Sequence, residues 1–172
     1  MHRYSNLPDE EQKRLEALRK LKILDSTYEY LFDTITRSIS EIFKTPIALI
    51  SFVDEDRQWF KSIVGIDGLT QTPRELGFCA ETILSDDILE ICDAIVDQRF
   101  KDNPLVIGKP YIRFYAGAPI TLPLGERVGS LCVIDTKPNL LNEYQKAALT
   151  GFAKVISQAL LIRDVNSRLK LL

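Results

Sequence analysis

Three cysteines and one histidine are the side chains of this 172-residue chain with the greatest reactivity at neutral pH. The histidine is His2, at the very N-terminus, so the sequence lacks the Ser-His-Asp and Cys-His arrangements, the HExxH motif and a His-Cys zinc cluster. The cysteines form no CxxC pair, and an odd, scattered set of three is typical of reduced thiols. Neither GxxxxGK[ST] nor GxGxxG occurs, which argues against the common phosphate-binding loops.

The individual cysteines have two interpretations. A free cysteine is usually a small buried hydrophobic residue, and Cys92 and Cys132 lie in apolar strand patterns that favour this interpretation. Cys79 lies at the start of a short predicted helix, where the helix N-terminus would favour a thiolate. Cys79 is therefore either a core residue or a thiol that lines a pocket.

The acidic residues and Arg74 carry a weaker signal. Asp93, Asp97 and Asp102 flank a predicted loop, and carboxylates so placed can do acid–base chemistry or cap turns. Because no nucleophile or metal-ligating histidine accompanies them, we interpret them as turn and cap residues. Arg74 follows a proline in a loop and could either bind an anion or be solvated. We predict no catalytic residue, no metal site and no cofactor.

Composition excludes further classes of protein. Hydrophobic residues make up 45% and charged residues 27% of the chain, which is typical of a folded globular domain. Twenty-two basic and 24 acidic residues give a net charge of −2, and no basic run occurs, so we expect no nucleic-acid partner. Apolar runs are too short to span a membrane and the N-terminus is polar from the start. We therefore expect a cytoplasmic protein without a membrane partner.

The first and last predicted elements of the chain are helices. A capping residue, Asn6, and then Pro8 and three acids predict a helix that presents Leu15, Leu18 and Leu21 on one side. Ser26 and Glu29 predict a capping box before a second helix, whose apolar residues recur at 3–4 spacing up to Phe43. Residues 142–172 contain no proline and predict one long terminal helix.

Strand patterns fill the middle of the chain. Residues 47–53 (IALISFV) have apolar side chains on both alternating sets of positions, which predicts a central strand covered on both faces. Residues 57–64 (RQWFKSIV) are predicted to form its hairpin partner. Further strands are predicted over residues 89–94, within residues 111–122 and over Arg127–Asp135, with a short helix at residues 78–84. Residues 65–76 and 97–108 are predicted to be irregular. This order favours a mainly antiparallel α+β domain.

Several motifs, in this order along the chain, resemble those of a GAF domain. They are Phe32-Asp33 and residues 46–51 (PIALIS), 56–61 (DRQWFK), 78–80 (FCA), 91–94 (ICDA), 97–100 (DQRF), 102–104 (DNP), 113–119 (RFYAGAP) and 129–135 (GSLCVID). The similarity runs from about Leu15 to Asn166. It is greatest to the GAF domains that precede histidine kinase or diguanylate cyclase modules in bacterial signalling proteins.

The resemblance implies a fold and a site. The fold is α+β, with a six-stranded antiparallel sheet, the N- and C-terminal helices on one face and pocket-forming loops on the other. Residues 1–172 would form one GAF domain, divided into an N-terminal helix (1–24), the sheet and pocket (25–141) and the C-terminal helix (142–172). The pocket would lie between the sheet and residues 78–84 and 100–108. Its expected ligand-binding residues are Phe78, Cys79, Asp93, Phe100, Phe114 and Tyr115.

The resemblance also implies a function. It favours a cytosolic regulatory domain that senses an unidentified small molecule and dimerises, without catalysis. A covalent bilin, a haem and a cyclic nucleotide are not expected, because no Cys-His pair or axial histidine occurs and residues 99–103 (RFKDN) depart from the Asn-Lys-Phe-Asp-Glu signature. The alternatives are a thiol-dependent reductase of the free methionine sulfoxide reductase type, with Cys79 and Cys92, and a ligand-free module that only joins chains.

The last helix carries a pattern that predicts a parallel homodimer. Residues at spacings of 4, 3, 4, 3, 4 and 3 form a heptad seam: Ala148, Phe152, Val155, Ala159, Ile162, Asn166 and Leu169. Asn166 at an a position favours a two-stranded, in-register arrangement. Leu149, Ile156 and Leu160 form a neighbouring stripe that can cover the domain's own sheet. In the alternative arrangement, the seam packs on Leu15, Leu18 and Leu21 within one chain.

Overall fold

One antiparallel sheet with helices on both sides forms the domain, and the computed structural model describes residues 8–170 of it. The helices are α1 (Asp9–Lys20), α2 (Tyr30–Phe43), α3 (Phe78–Thr82), α4 (Pro104–Ile107) and α5 (Glu143–Leu169). The strands are β1 (Ile47–Val53), β2 (Arg57–Val64), β3 (Gln71–Pro73), β4 (Leu89–Ile91), β5 (Phe114–Thr121) and β6 (Arg127–Asp135). No helix among the described residues is long and apolar enough to cross a membrane.

The strand order is β3-β2-β1-β6-β5-β4, and every neighbouring pair is antiparallel. This confirms the six-stranded antiparallel α+β fold. All seven residues of β1 are buried, as apolar residues on both faces of the segment predict for a central strand. The sheet therefore has two covered faces, and each face has its own hydrophobic cluster.

Alternation along the strands divides those two clusters. On the helix side, Ala48, Ile50 and Phe52 of β1 pack with α2 and α5. On the other side, Ile47, Leu49 and Val53 pack with the short helices α3 and α4. Trp59 and Phe60 are adjacent on β2 and separate in the same way, with Trp59 in the helix-side cluster and Phe60 against the opposite one.

The N-terminus of α5 is fixed by a capping box. The Asn142 side chain accepts a hydrogen bond from the Gln145 backbone, and the Gln145 side chain accepts one from the Asn142 backbone. Leu149, Ile156 and Leu160 are at most 1% exposed, so the predicted sheet-covering stripe is confirmed. Leu15, Leu18 and Leu21 of the α1 region are also buried.

Three local predictions are wrong. Residues 71–73, expected in a loop, form β3 on the edge of the sheet, where three residues are too few to give a strand pattern. Residues 104–107, expected to be irregular, form α4, and Asn103 caps it through the Leu105 backbone. The Ser26–Glu29 capping box is absent because α2 begins at Tyr30 and the Glu29 carboxylate binds Lys61 and Arg163 instead. Asn6 lies outside the described residues.

Candidate functional site

An aromatic stack closes the side of the sheet that faces α3 and α4. The Phe78 ring lies 4.2 Å from that of Phe100 with only 7° between their planes, and 5.1 Å from that of Tyr115. Phe78 is on α3, Phe100 is in the turn before α4, and Tyr115 is on β5. All three are buried, so their rings fill the space in which the sequence predicts a pocket.

A small polar cluster lies beneath the stack, around the Tyr115 hydroxyl. Tyr115 Oη lies 2.6 Å from Thr82 Oγ1, 3.2 Å from Ser130 Oγ and 3.5 Å from Cys79 Sγ. Cys79 Sγ lies 3.9 Å from Cys132 Sγ. Gly117 makes room for this cluster, because a Cβ atom there would lie 2.3 Å from Tyr115 Oη. Buried polar groups are tolerated when they bond to one another, as these do.

Burial and hydrogen bonds shift the pKa values of the groups in this cluster in opposite directions. Burial raises the pKa of Cys132 and that of Tyr115 well above their ordinary values. The pKa of Cys79 is lowered, first by its hydrogen bond with Cys132 and also by the one from Tyr115. Cys79 is therefore the more acidic thiol of the pair.

A cavity of about 50 Å³ remains beside this cluster. It is almost entirely apolar, and its wall includes Cys79, Phe78, Tyr115, Leu49, Leu105 and Ile112. Ligand pockets for drug-sized molecules have volumes of about 300–1,000 Å³. The aromatic rings therefore fill most of the predicted pocket, and the cavity that is left has room for a molecule of a few atoms.

Gln58 fixes α3 over the cavity. Its side-chain amide donates to Thr72 Oγ1 of β3 at 2.9 Å, and its carbonyl oxygen accepts from the Ala80 backbone at 3.0 Å. Gly77, just before α3, lies so close that a Cβ atom there would be 1.9 Å from the Gln58 amide. The short helix is thus held by β2 and β3 through one buried side chain.

A wider groove of about 600 Å³ runs along the outside of α3 and has charged walls. It contains four carboxylates and two arginines, namely Glu55, Asp56, Glu75, Glu81, Arg74 and Arg99. Arg74 donates to Glu11 at 2.5 Å and to the Asp54 carbonyl at 3.1 Å, and Arg99 pairs with Asp97 at 2.8 Å. Of the two sequence interpretations of Arg74, neither describes it well, since it joins α1 to the β1–β2 turn.

Four of the six predicted site residues come together and two do not. Phe78, Cys79, Phe100 and Tyr115 form the stack and the polar cluster. Phe114 belongs to the helix-side core instead, because neighbouring residues of a strand point to opposite faces. Asp93 is half-buried and accepts a hydrogen bond from the Ile95 backbone, which is a turn contact.

The cysteine predictions are correct for one strand and wrong for the other. Cys132 is buried, as predicted, but Cys92 is exposed because β4 ends one residue earlier, at Ile91. Sequence reasoning missed Gln58, Thr82 and Ser130. Ser130 could have been found from its i+2 spacing to Cys132 on one strand face, whereas Gln58 and Thr82 carry no signal of their long-range contacts.

This architecture, one antiparallel sheet with long helices on one face and a pocket region under short helices on the other, defines the class of the domain. The family model described as GAF domain matches residues 28–160. The chain belongs to the GAF domain family.

A cyclic di-GMP phosphodiesterase of Pseudomonas aeruginosa is 44% identical to this chain over 150 residues, which is 87% of the chain. The chain spans about a quarter (25%) of the length of that relative.

Solved structures of low sequence identity share the fold. The GAF domain of an Acinetobacter phosphoenolpyruvate-protein phosphotransferase has a TM-score of 0.65 at 15% identity, with 94% of this chain and 99% of that chain covered. A free methionine-R-sulfoxide reductase from Neisseria meningitidis, in complex with its substrate, also has a TM-score of 0.65, at 14% identity, with coverage of 94% and 96%. The same fold therefore occurs as one domain of a phosphotransferase and as a complete reductase. The fold alone does not decide between such functions.

Proposed function

We propose that this chain is a non-catalytic regulatory domain of a cytoplasmic bacterial signalling protein, which dimerises through α5 and senses a small molecule at the aromatic stack. Membership of the GAF family supports a regulatory role. The relative named as a cyclic di-GMP phosphodiesterase supports a place in cyclic dinucleotide signalling, since this chain is similar to a quarter of it.

The two apolar stripes of α5 carry the proposal. One stripe is buried on the sheet, whereas the d positions of the other stripe are open: Val155 is 47%, Ile162 62% and Leu169 61% exposed. In the alternative arrangement α1 would cover this stripe. Ala148, Phe152 and Ala159 of the seam do pack against the cluster that contains Leu18 and Leu21, but the d positions stay exposed although these leucines are buried. A parallel partner helix would cover these residues and leave Asn166 at an a position.

Sedimentation tests the dimer. The full chain should sediment as a dimer at micromolar concentration, and a version that ends at residue 160 should sediment as a monomer with an unchanged circular dichroism spectrum of the sheet. A full chain that stays monomeric at high micromolar concentration contradicts the proposal.

Sensing requires the aromatic stack to open, because the cavity of about 50 Å³ is too small for a metabolite. The apolar wall and the buried polar groups of Tyr115 and Ser130 would favour a compact, largely apolar ligand with one or two hydrogen-bonding groups. Native mass spectrometry of freshly purified protein should show a retained small molecule. If only apo protein is seen and no member of a metabolite library raises the melting temperature, the ligand-free module is the better description.

The reductase alternative is disfavoured by the surroundings of the thiols. Cys79 is 4% exposed, and Cys92, the other cysteine of the alternative, is exposed at the end of β4, so the two thiols do not share the same surroundings. A thiol-coupled assay with free methionine sulfoxide should therefore give the same rate for wild type and Cys79→Ser. Turnover by wild type that Cys79→Ser abolishes would establish the enzyme.

A further inference from the structure

The proposed function makes no use of the reactivity of two cysteines on the pocket side of the sheet. Cys79 on α3 and Cys132 on β6 are 53 residues apart in the chain, and their sulfur atoms lie 3.9 Å apart. Both side chains are buried, whereas Cys92 is exposed. A buried thiol has little chemistry by itself, but two thiols in contact can be oxidised together to a disulfide.

The surroundings give the two sulfur atoms different roles. The hydrogen bond with the Cys132 thiol lowers the pKa of Cys79, and the hydrogen bond that Tyr115 donates to Cys79 Sγ lowers it further. Burial raises the pKa of Cys132 well above its ordinary value. Because the thiolate is the nucleophile, Cys79 is the thiol that reacts first and Cys132 is placed to resolve the product.

The cavity of about 50 Å³ supplies a route to Cys79. Cys79 forms part of its wall, and the partly exposed residues Ile66, Leu69, Leu105 and Pro110 form another part. A water molecule occupies about 30 Å³ in the liquid, so the cavity has room for a molecule of two heavy atoms. Its apolar wall favours a neutral molecule over an anion.

We propose that Cys79 and Cys132 form an oxidation site for a small neutral peroxide, with hydrogen peroxide as the probe, and that the product is a reversible disulfide between α3 and β6. The Cys79 thiolate attacks one peroxide oxygen, the O–O bond breaks, and the departing hydroxide takes up a proton to become water, which leaves Cys79 as a sulfenic acid. The Cys132 sulfur then attacks the Cys79 sulfur. The S–O bond breaks, an S–S bond forms, and the hydroxyl group leaves as water with the Cys132 proton.

The electrons of this reaction balance, and the two sulfur atoms are already in contact. Two thiols lose two electrons in total, and one peroxide is reduced to two waters. A disulfide has an S–S bond of about 2.05 Å, so the sulfur atoms, which lie 3.9 Å apart, must approach by a little under 2 Å. The bond would hold α3, and with it Phe78, against the sheet.

The test uses a Cys92→Ser background, because Cys79 and Cys92 share one tryptic peptide and Cys132 lies in another. The folded protein is treated with hydrogen peroxide, and catalase stops the reaction. The protein is then denatured and alkylated, and its mass is measured by mass spectrometry. The product should carry no alkyl group and should be lighter than the reduced, unalkylated protein by the mass of two hydrogen atoms. After digestion with trypsin, peptides 75–99 and 128–146 should be joined by the disulfide. Dithiothreitol should restore two alkylatable thiols.

Single substitutions separate the roles of the two cysteines. In the same background, Cys132→Ala should gain oxygen at Cys79, whereas Cys79→Ala should leave Cys132 unreacted over the same time. Two intact thiols after treatment of the folded parent, or a disulfide that forms only in denaturant, would overturn the proposal. If a substitution prevents folding, peptide mapping of the parent still gives one of these two results.

Discussion

At the scale of single residues, the buried Tyr115 hydroxyl connects three elements. It contacts Thr82 of α3 and Ser130 of β6 from its own position on β5. A buried polar group that loses its partner costs the free energy of its lost hydration, which is usually more than the hydrogen bond itself contributes. The cluster is therefore sensitive to the removal of a single oxygen atom.

Tyr115→Phe should lower the free energy of unfolding by about 1 to 3 kcal/mol, because Ser130 and Thr82 keep their buried hydroxyls and lose a partner. Urea unfolding followed by circular dichroism measures this change. Tyr144→Phe is the matched control, since Tyr144 is 89% exposed, and it should have no effect. Equal stability of Tyr115→Phe and wild type would show that the cluster contributes nothing to folding.

Glu11 gives the stability a specific dependence on pH. Partial burial raises the pKa of Glu11, but the hydrogen bonds and charges of Arg14 and Arg74 outweigh burial and lower it from 4.5 to about 2. Because the pKa is lower in the folded state, the stabilising contribution is complete above about pH 4.5 and is lost as the pH falls towards 2.

Glu11→Gln should therefore lower the free energy of unfolding by about 1 to 2 kcal/mol near neutral pH, after allowance for partial exposure of the carboxylate. The difference from wild type should shrink as urea unfolding is repeated at successively lower pH between 4.5 and 2. Glu10→Gln, at an exposed position on the same helix, should differ little from wild type at any pH. A Glu11→Gln difference that does not depend on pH would contradict the assignment.

At this scale, the sequence does not predict which of two adjacent strand residues faces the pocket. Phe114 and Tyr115 are adjacent and both aromatic, so residue type does not indicate which one points to the pocket. The pairing of Tyr115 with Ile134 on the pocket side settles it, and that pairing depends on the register of β5 and β6. Cys92 was misassigned for a related reason, since the end of a short strand is set by its partner strand.

At the scale of elements, a junction of charges joins α5 to the sheet and to the start of α2. Lys61 of β2 has a side chain only 1% exposed, and its amine lies 2.6 Å from the Glu29 carboxylate. Arg163 of α5 binds the same carboxylate at 3.2 Å and donates to the carbonyl of Leu21 at 2.7 Å. The last two turns of α5 are thus held by one arginine.

Arg163→Ala should release these turns while the rest of the domain stays folded. Backbone amides of residues 164–170 should exchange with deuterium faster, and the free energy of unfolding should fall by about 1 to 2 kcal/mol through the lost hydrogen bonds to charged groups. Arg168→Ala is the control, because Arg168 is largely exposed and pairs with Asp164 on the same helix. Unchanged exchange in Arg163→Ala would show that the junction does not hold α5.

Elements with a long apolar or amphipathic pattern could be predicted closely, and short ones could not. The bounds of β1, β2 and β6 agree with the sequence prediction, because each of these strands is long enough to show its burial pattern. β3 and α4 have three and four residues and form only through contacts with β2 and with the Asn103 cap. The missing capping box before α2 has the same origin, since Glu29 is used by two distant cations.

At the scale of the whole molecule, one sheet separates two regions that are closed by different kinds of element. The helix side is closed by α2 and α5 and contains the larger cluster of buried residues. The pocket side is closed by short helices and an aromatic stack, which are held by Gln58 and the Tyr115 cluster. β5 contacts both regions, because its Tyr115 faces the stack and its Phe114 faces the helices.

The exposed stripe of α5 gives the final prediction, which concerns assembly. In a parallel, in-register dimer the two Ile162 side chains would face each other at a d position, so Ile162→Glu would replace an apolar contact by two like charges. The dimer should dissociate at a concentration at least about a hundredfold higher, which corresponds to about 3 kcal/mol or more. Sedimentation equilibrium over a concentration series measures this shift.

Ala147→Glu is the matched control for this change. It adds the same charge to an exposed position of the same helix, but Ala147 lies outside the heptad seam. It should leave the dissociation constant within a few-fold of the wild-type value, and both variants should melt as folded domains. Because Ile162 is 62% exposed in the monomer, a loss of dimer in Ile162→Glu cannot come from damage to the core. Equal weakening by both substitutions would assign the effect to net charge and not to a helix seam.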